Sequence, residues 1–146
     1  MAVDEPEVTH ALAEAASYWI TAEDVRPTFL FEFCRPPSIH GLSSRGWNRR
    51  IIYNNFFVTR LAFWNRTDVR AWHAFVERTH GIFKYRWGDA PIHTLTLGMF
   101  AARDAVVEFD FAYSHVRGVW REGFASSAFN KLPAGRVGRL DSLKIF

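Results

Sequence analysis

The sequence predicts a mixed α/β domain, in which helices pack on a mixed sheet. Its 146 residues are enough for one domain with a hydrophobic core. Hydrophobic residues make up 49% of the chain and include 14 Phe and 6 Trp, a composition that excludes a disordered chain. Segments with helical and strand periodicity alternate along the sequence. This alternation favours layers of helices on a sheet.

The first predicted element is an amphipathic helix over residues 4–20. Acidic residues fill its first turn, which suits the positive end of the helix dipole. Apolar residues follow one face at helical spacing: Val8, Leu12, Ala15, Ala16 and Trp19.

The next segments are less regular. Residues 29–33, Phe-Leu-Phe-Glu-Phe, are ambiguous between a helical turn and a strand. Residues 35–46 are rich in Pro, Gly and Ser and predict a loop that is either a functional flap or an insertion. The single cysteine, Cys34, excludes an internal disulfide, and its neighbour Phe33 favours a small buried residue.

A strand followed by a helix is predicted in the middle of the chain. Residues 56–63 are mostly β-branched or aromatic and follow the turn-prone pair Asn54–Asn55, which indicates a buried strand. Residues 65–67, Asn-Arg-Thr, match the N-glycosylation pattern, but a helix cap is the better interpretation. The apolar residues that follow have helical spacing, and Gly81 closes the helix: Val69, Trp72, Phe75 and Val76.

A strand, a tight turn and a buried helix are predicted from residue 82 to residue 100. Residues 83–86 alternate between aromatic and basic side chains, as in a strand. Asp89 stands where a helix N-cap belongs, and Pro91 falls in the first turn, where a missing N–H is tolerated. Ile92, Leu95 and Met99 then follow one helical face. Residues 106–111 alternate as a last strand, and the periodicity fades beyond Val116.

The turn before the last predicted helix is the best candidate for a site. Ligands of open α/β folds bind at such turns. A dense mixture of aromatic, cationic and acidic groups suits a polar ligand such as a sugar or a phosphate. The alternative for Asp89 is a cap without a further role. The residues concerned lie within nine positions: Tyr85, Arg86, Trp87, Asp89 and His93.

The net charge of +3 is unevenly distributed. Residues 1–33 carry seven acidic residues and one Arg, whereas residues 116–146 carry six basic and two acidic residues. Fifteen of the 18 basic residues are Arg, and this side chain suits both a diphosphate and a nucleic acid. No apolar run reaches the roughly 18 residues that span a bilayer, and no secretory leader pattern is visible, so the chain is expected to be soluble.

Several segments carry a resemblance to one enzyme family. They are Tyr53-Asn-Asn-Phe-Phe57, Phe63-Trp-Asn-Arg66, Gly81-Ile-Phe83, Tyr85-Arg-Trp-Gly-Asp-Ala-Pro-Ile-His93 and Phe109 with Tyr113-Ser-His115. Together they resemble the fungal and algal α-1,2-mannosyltransferases of the glycolipid 2-α-mannosyltransferase type. The resemblance is close over residues 49–115 and weaker back to residue 6.

The resemblance implies a fold and an activity. It implies that residues 1–116 form part of a glycosyltransferase domain of the GT-A fold, whereas residues 117–146 form a basic tail without an assignment. The implied reaction is the retaining transfer of mannose from GDP-mannose to a glycan acceptor, with Mn²⁺ as cofactor. The implied location is the Golgi lumen, with the membrane anchor outside this chain.

The resemblance also assigns residues. Asp89 matches an acidic residue beside the sugar and becomes the catalytic candidate, and His115 matches the metal-ligand histidine. Sugar transfer from a diphosphate needs such groups, because a cation neutralises the leaving diphosphate and acids act at the anomeric centre. The substrate-binding candidates are Tyr85, Arg86, Trp87, His93 and Asn55.

Two departures from the family pattern leave an alternative open. When the family's Asn-Phe-Glu segment is aligned on Asn55 and Phe56, Phe57 takes the place of the glutamate. The upstream Glu-Pro-Asp metal motif has only Glu5-Pro-Glu7 as a partial match, without a preceding apolar strand. The alternative is a catalytically dead remnant that binds carbohydrate. A basic nucleic-acid-binding module is less favoured, because the aromatic residues follow core periodicity.

Overall fold

The structure is a computed structural model that describes residues 2–3, 6–52, 54 and 57–107, with side chains from residue 10 onward. Most of the described chain is helical. The α-helices are α1 Pro6–Ala22, α2 Ile39–Ser43, α3 Leu61–Trp64, α4 Thr67–Thr79, α5 Gly81–Lys84 and α6 Asp89–Phe100. Short 3₁₀ turns occupy Leu30–Phe33 and Arg103–Ala105.

The sheet of the described residues has two short strands. β1, Ala2–Val3, pairs antiparallel with β2, Arg50–Ile51, so that Ala2 faces Ile51 and Val3 faces Arg50. The larger mixed sheet that the sequence predicts stays a prediction. Its last strand, at residues 106–111, lies almost wholly outside the described residues.

Helix α6 is the centre of the core. Leu95 is fully buried and Met99 is 1% exposed, and the helix packs against α1, α4, β2 and the 3₁₀ turn Leu30–Phe33. The absence of a side chain at Gly98 permits the contact with the 3₁₀ turn, because a Cβ there would lie 3.0 Å from Leu30 Cα. The Gly98 carbonyl also accepts hydrogen bonds from the backbone N–H groups of Thr28 and Phe29. The helix is therefore enclosed along most of its length.

One polar side chain of α6, that of Thr94, lies in this core with its hydroxyl group hydrogen-bonded. Thr94 is fully buried, and its Oγ1 donates to the Ala90 carbonyl at 2.8 Å. The same oxygen accepts the backbone N–H of Ile52 at 2.8 Å. The buried hydroxyl of Thr94 therefore both donates and accepts a hydrogen bond. The second of these bonds attaches the segment after β2 to the helix.

The three long predicted helices are confirmed as α1, α4 and α6. The buried face of α1 includes Leu12, Ala16 and Trp19, as the periodicity predicted. Cys34 is fully buried, as predicted. Burial raises the pKa of its thiol to about 11, although the positive charge of Arg35 lowers it in part.

The predicted strand at residues 56–63 is wrong over its described part. Residues 57–60 are exposed and irregular, and Leu61–Trp64 form α3. Leu61 is 75% exposed, whereas Phe63 and Trp64 pack against the core from the same helical turn. Strand formation needs a partner, and the described residues offer none beside this segment.

The predicted strand at residues 83–86 is also wrong. His80 has a left-handed backbone with φ 55°, which ends α4, and α5 begins at Gly81. Phe83 is 84% exposed, so the alternation of aromatic and basic residues does not mark a buried face. The buried ring here is that of Trp87, which lies on Gly81 and leaves no space for a Cβ there.

The predicted loop at residues 35–46 contains α2. Ser38 caps this short helix, because its Oγ accepts the Gly41 N–H at 3.3 Å. Leu42 is fully buried and attaches the segment to the core. The prediction of an irregular loop is therefore wrong for residues 39–43.

Candidate functional site

One carboxamide joins two candidate site residues at the start of α6. Asn54 Nδ2 donates to Asp89 Oδ2 at 3.0 Å and lies 2.9 Å from His93 Nδ1. Asp89 and His93 are four residues apart in the helix and therefore share a face. We refer to Asn54, Asp89 and His93 as the Asn54 cluster. Asp89 is exposed, and His93 and Asn54 are half-buried.

Aromatic rings surround the imidazole of this cluster. The ring of Trp64 lies 4.8 Å from that of His93, and the ring of Phe57 lies edge-on at 5.6 Å. His73, from α4, is parallel to His93 within 6° at 6.5 Å. We refer to Phe57, Trp64 and His73 as the aromatic group. Phe57 is 48% exposed, so ring surface is available beside the carboxylate.

A buried hydroxyl fixes the position of the second imidazole. Thr96 Oγ1 donates to the Ile92 carbonyl at 2.8 Å and accepts the indole N–H of Trp72 at 3.0 Å. His73 Nε2 lies 3.0 Å from the same oxygen. Because the hydroxyl has one proton and Ile92 receives it, His73 Nε2 must be the donor. His73 is therefore held in its Nε2–H form.

The Asn54 cluster and the aromatic group lie in a segment of the chain that matches a known protein family. The family model described as "Glycolipid 2-alpha-mannosyltransferase" matches residues 34–119, which is more than half of the chain. The chain belongs to this family. The resemblance inferred from the motif segments is thereby confirmed, and the whole Asn54 cluster lies inside the matched range.

Relatives with similar sequences include three fungal proteins. The chain is 36% identical over 64 residues to "Glycolipid 2-alpha-mannosyltransferase 2" of Candida albicans, covering 43% of the chain and 14% of that relative. It is 31% identical over 80 residues to "O-glycoside alpha-1,2-mannosyltransferase homolog 5" of Schizosaccharomyces pombe, covering 54% and 19%. It is 26% identical over 119 residues to "Glycolipid 2-alpha-mannosyltransferase" of Saccharomyces cerevisiae, covering 79% and 26%.

The family members matched are much longer than the aligned segment. The chain spans between 14% and 26% of the length of these three relatives. No solved structure matches the chain. Among the described residues, no helix is both long and apolar enough to cross a membrane.

Burial controls the charge of both imidazoles in this family member. Burial lowers the pKa of His93, and the negative charge of Asp89 opposes this effect. Burial also lowers the pKa of His73, and electrostatic repulsion from His93 adds to it. Both rings are therefore neutral at pH 7, where they act as hydrogen-bonding groups rather than as cations.

The lowered pKa values predict that the fold loses stability in weak acid. In the unfolded chain both histidines bind protons below pH about 6.5, whereas the folded chain resists protonation. The stabilising contribution is thus present above that pH and lost as the pH falls through the folded pKa values. We expect the free energy of unfolding in urea to decrease from pH 7.5 to pH 5, and to decrease less for His73→Gln.

Ala74→Gln is the matched control, since it places the same side chain on the half-buried neighbouring position of α4 without removing an imidazole. It should keep the pH dependence of the parent chain. Equal pH dependence in the parent and in His73→Gln would contradict a contribution of His73 to the loss of stability in weak acid.

The other predicted substrate-binding residues have different surroundings. Tyr85 is 50% exposed and Arg86 is exposed as well, so both are on the surface of the turn before α6. Trp87 is 4% exposed, and its indole N–H has no hydrogen-bond partner among the residues described. Binding by these residues stays a prediction. Asn55 and His115 lie outside the described residues.

The helix cap was predicted one residue too late. Gly88 is the N-cap of α6, and Asp89 is its first helical residue. The carboxylate of Asp89 interacts with Asn54 rather than capping its own helix. The interpretation of Asp89 as the N-cap is therefore wrong, and its role in a site stays a prediction.

The described donors near the Asn54 cluster are too few for the predicted Mn²⁺. Within the described part of the chain, no three His, Cys, Asp or Glu side chains come together as a metal site. The Asn54 cluster contributes one carboxylate and one imidazole, and the imidazole Nδ1 is already occupied by Asn54. These residues do not form a ligand set for Mn²⁺ on their own, and no chemical step is derived through the ion.

Proposed function

We propose that the chain is part of an α-1,2-mannosyltransferase, with its site at the Asn54 cluster and the aromatic group. The reaction is the retaining transfer of mannose from GDP-mannose to a glycan acceptor. The observation that carries the proposal is the contact of Asp89 and His93 through Asn54. This contact brings together a carboxylate and an imidazole from the motif segment of a glycolipid 2-alpha-mannosyltransferase family member.

The chemistry of mannosyl transfer needs a carboxylate in such a position. The bond from the anomeric carbon to the diphosphate oxygen breaks with its electron pair on that oxygen, a bond to an acceptor hydroxyl oxygen forms, and the hydroxyl proton passes to the departing diphosphate, which leaves as GDP. Positive charge develops on the sugar during this exchange, and a carboxylate beside the anomeric centre stabilises it. Asp89 is the candidate for this role, because its carboxylate is exposed while Asn54 holds it in one orientation.

The neighbouring groups suit the rest of a sugar. A neutral imidazole hydrogen-bonds hydroxyl groups without the strong hydration of a cation. The rings of Phe57 and Trp64, which lie beside His93, offer apolar surface for the C–H face of a pyranose. His93 is therefore proposed as a substrate-binding residue, with Tyr85, Arg86, Trp87 and Asn55 as further candidates by resemblance.

Further parts of the proposal depend on the resemblance alone. They are Mn²⁺ bound through His115, a GT-A sheet formed with chain beyond the described residues, a glycosyltransferase domain over residues 1–116 followed by a basic tail, and a location in the Golgi lumen with a membrane anchor elsewhere. None of them enters the steps given above.

A second candidate function is carbohydrate binding without transfer. The observation that favours it is Phe57, whose apolar ring lies edge-on to that of His93 and which the resemblance places where the family has an acidic residue. Such a protein would keep the aromatic surface and lose turnover.

A transfer assay distinguishes the two candidates. The 146-residue chain is incubated with labelled GDP-mannose, Mn²⁺ and methyl α-mannoside, and the labelled disaccharide is measured, with UDP-glucose as the control donor. Label transferred from GDP-mannose alone supports the mannosyltransferase. Binding of the mannoside in calorimetry without transfer supports the second candidate and overturns the first. Absence of both, together with salt-dependent binding of single-stranded RNA, would overturn both candidates.

A further inference from the structure

We propose that Asn54 is a positioning residue: its carboxamide holds Asp89 in place and fixes His93 in the tautomer that carries its proton on Nε2. The ring then presents an N–H donor to the ligand. The ligand part of this inference rests on the proposed function, whereas the tautomer part does not.

The orientation of the carboxamide follows from the chemistry of Asp89. A carboxylate accepts hydrogen bonds and donates none. The group of Asn54 that lies 3.0 Å from Asp89 Oδ2 must therefore be the NH₂ group, which agrees with the contact to Nδ2. Rotating the carboxamide by half a turn would place its oxygen against the carboxylate and remove this bond.

The tautomer of His93 follows from that orientation. The same nitrogen of Asn54 lies 2.9 Å from His93 Nδ1. An amide NH₂ group only donates, so a hydrogen bond at this distance requires Nδ1 to accept, and Nδ1 then carries no proton. In a neutral imidazole the proton is then on Nε2. None of the hydrogen bonds between described residues involves Nε2 of His93, and we assign this N–H to the ligand.

Among the described residues, Asn54 is the hydrogen-bond partner of His93 Nδ1, and no other group forms a hydrogen bond with it. Asp89 lies on the same helix and is bound to Asn54. His73, from α4, is stacked on His93 and donates its own Nε2–H to Thr96. Trp64 and Phe57, from α3 and the segment before it, present apolar rings. Protonation of Nδ1 would therefore place two N–H groups against each other.

The position of Asn54 is itself set by the core. The backbone N–H of Ile52, two residues earlier, donates to the buried hydroxyl of Thr94 at 2.8 Å. Thr94 follows His93 directly in α6, so the same helix holds both the backbone before Asn54 and the groups that its side chain contacts. Such two-point attachment is what a positioning residue requires.

The tautomer can be measured without any activity. Long-range ¹H–¹⁵N spectra of the labelled 146-residue chain at pH 7.5 report which nitrogen of each imidazole carries the proton. We expect the Nε2–H form at His93 in the parent chain. Asn54→Leu should give a mixture of both forms, and Asn54→Asp should shift the proton to Nδ1, because a carboxylate oxygen would replace the donor.

Asn48→Asp is the matched control. Asn48 is exposed, and its side-chain oxygen accepts the N–H of Arg50, as an aspartate would. This variant should leave the His93 signals unchanged. The proposal is overturned if His93 carries its proton on Nδ1 in the parent chain, or if Asn54→Leu keeps the Nε2–H form unchanged in a folded protein with the parent's circular dichroism spectrum.

A kinetic measurement tests the ligand part separately. If the parent chain transfers mannose, Asn54→Leu should lower kcat/KM by about 10- to 100-fold, the effect of small misplacements of reacting groups, and Asn48→Asp should not. Unchanged kcat/KM in Asn54→Leu overturns the positioning role. An inactive parent chain overturns the proposed function alone, because the tautomer result is independent of turnover.

Discussion

Asp89→Asn is expected to lower kcat of mannosyl transfer by about 100-fold or more while the fold stays intact. The change removes a negative charge from the position where positive charge develops on the sugar, and losses of this kind are about 10²–10⁴-fold. The amide has the shape of the carboxylate, and its oxygen can still accept the N–H of Asn54 that now reaches Asp89 Oδ2. The loss should therefore appear in turnover rather than in stability.

Asp104→Asn is the control for this experiment, since it makes the same chemical change at an exposed residue of the 3₁₀ turn Arg103–Ala105. Initial rates over a range of GDP-mannose concentrations separate kcat from KM, and thermal unfolding reports on the fold. Turnover of Asp89→Asn at the parent rate would exclude the carboxylate from the chemistry.

Trp72→Ala is expected to lower the free energy of unfolding by about 3–5 kcal/mol, the range for removing large aromatic side chains from cores. Trp72 is fully buried, and its ring lies 6.1 Å from that of Trp19 and 5.8 Å from that of Phe75. The substitution also removes the indole N–H from the buried Thr96 hydroxyl. Urea unfolding followed by circular dichroism measures the change.

Phe83→Ala is the control, because this ring is 84% exposed, and its removal should change stability by less than about 0.5 kcal/mol. If Trp72→Ala does not fold, Trp72→Phe provides the measurement, with an expected loss of about 1–3 kcal/mol from the smaller ring and the missing N–H. A loss below about 1 kcal/mol for a folded Trp72→Ala would show that α4 and α6 do not depend on this ring.

The long helices could be predicted because their apolar residues recur at a period that only a helix satisfies. Val69, Trp72 and Val76 in α4 are buried as predicted. Short segments contain too few residues to show a period. Four alternating residues, 83–86, agree with a strand and equally with the exposed end of a helical turn. The structure has the helical turn, because the left-handed backbone of His80 ends α4 and α5 begins at Gly81.

The candidate site was predictable in part. Asp89 and His93 belong to one helical face, and sequence spacing alone places them together. Asn54 contacts them from 35 and 39 positions away, and the sequence indicated it only as half of a turn-prone pair and as part of the motif segment from Tyr53 to Phe57. His73 is on α4 and contacts His93, which is on α6. Contacts between separate elements depend on how those elements pack, and residue spacing does not encode that packing directly.

The hydrogen bond between Ile52 and Thr94 has a consequence for how the protein fails under heat. It joins the chain just before Asn54 to the interior of α6, the helix whose first turns carry Asp89 and His93. Asp89 and His93 lie on α6 itself, so their arrangement is lost when this helix leaves the core. Heat inactivation and melting of the helices should therefore share one midpoint.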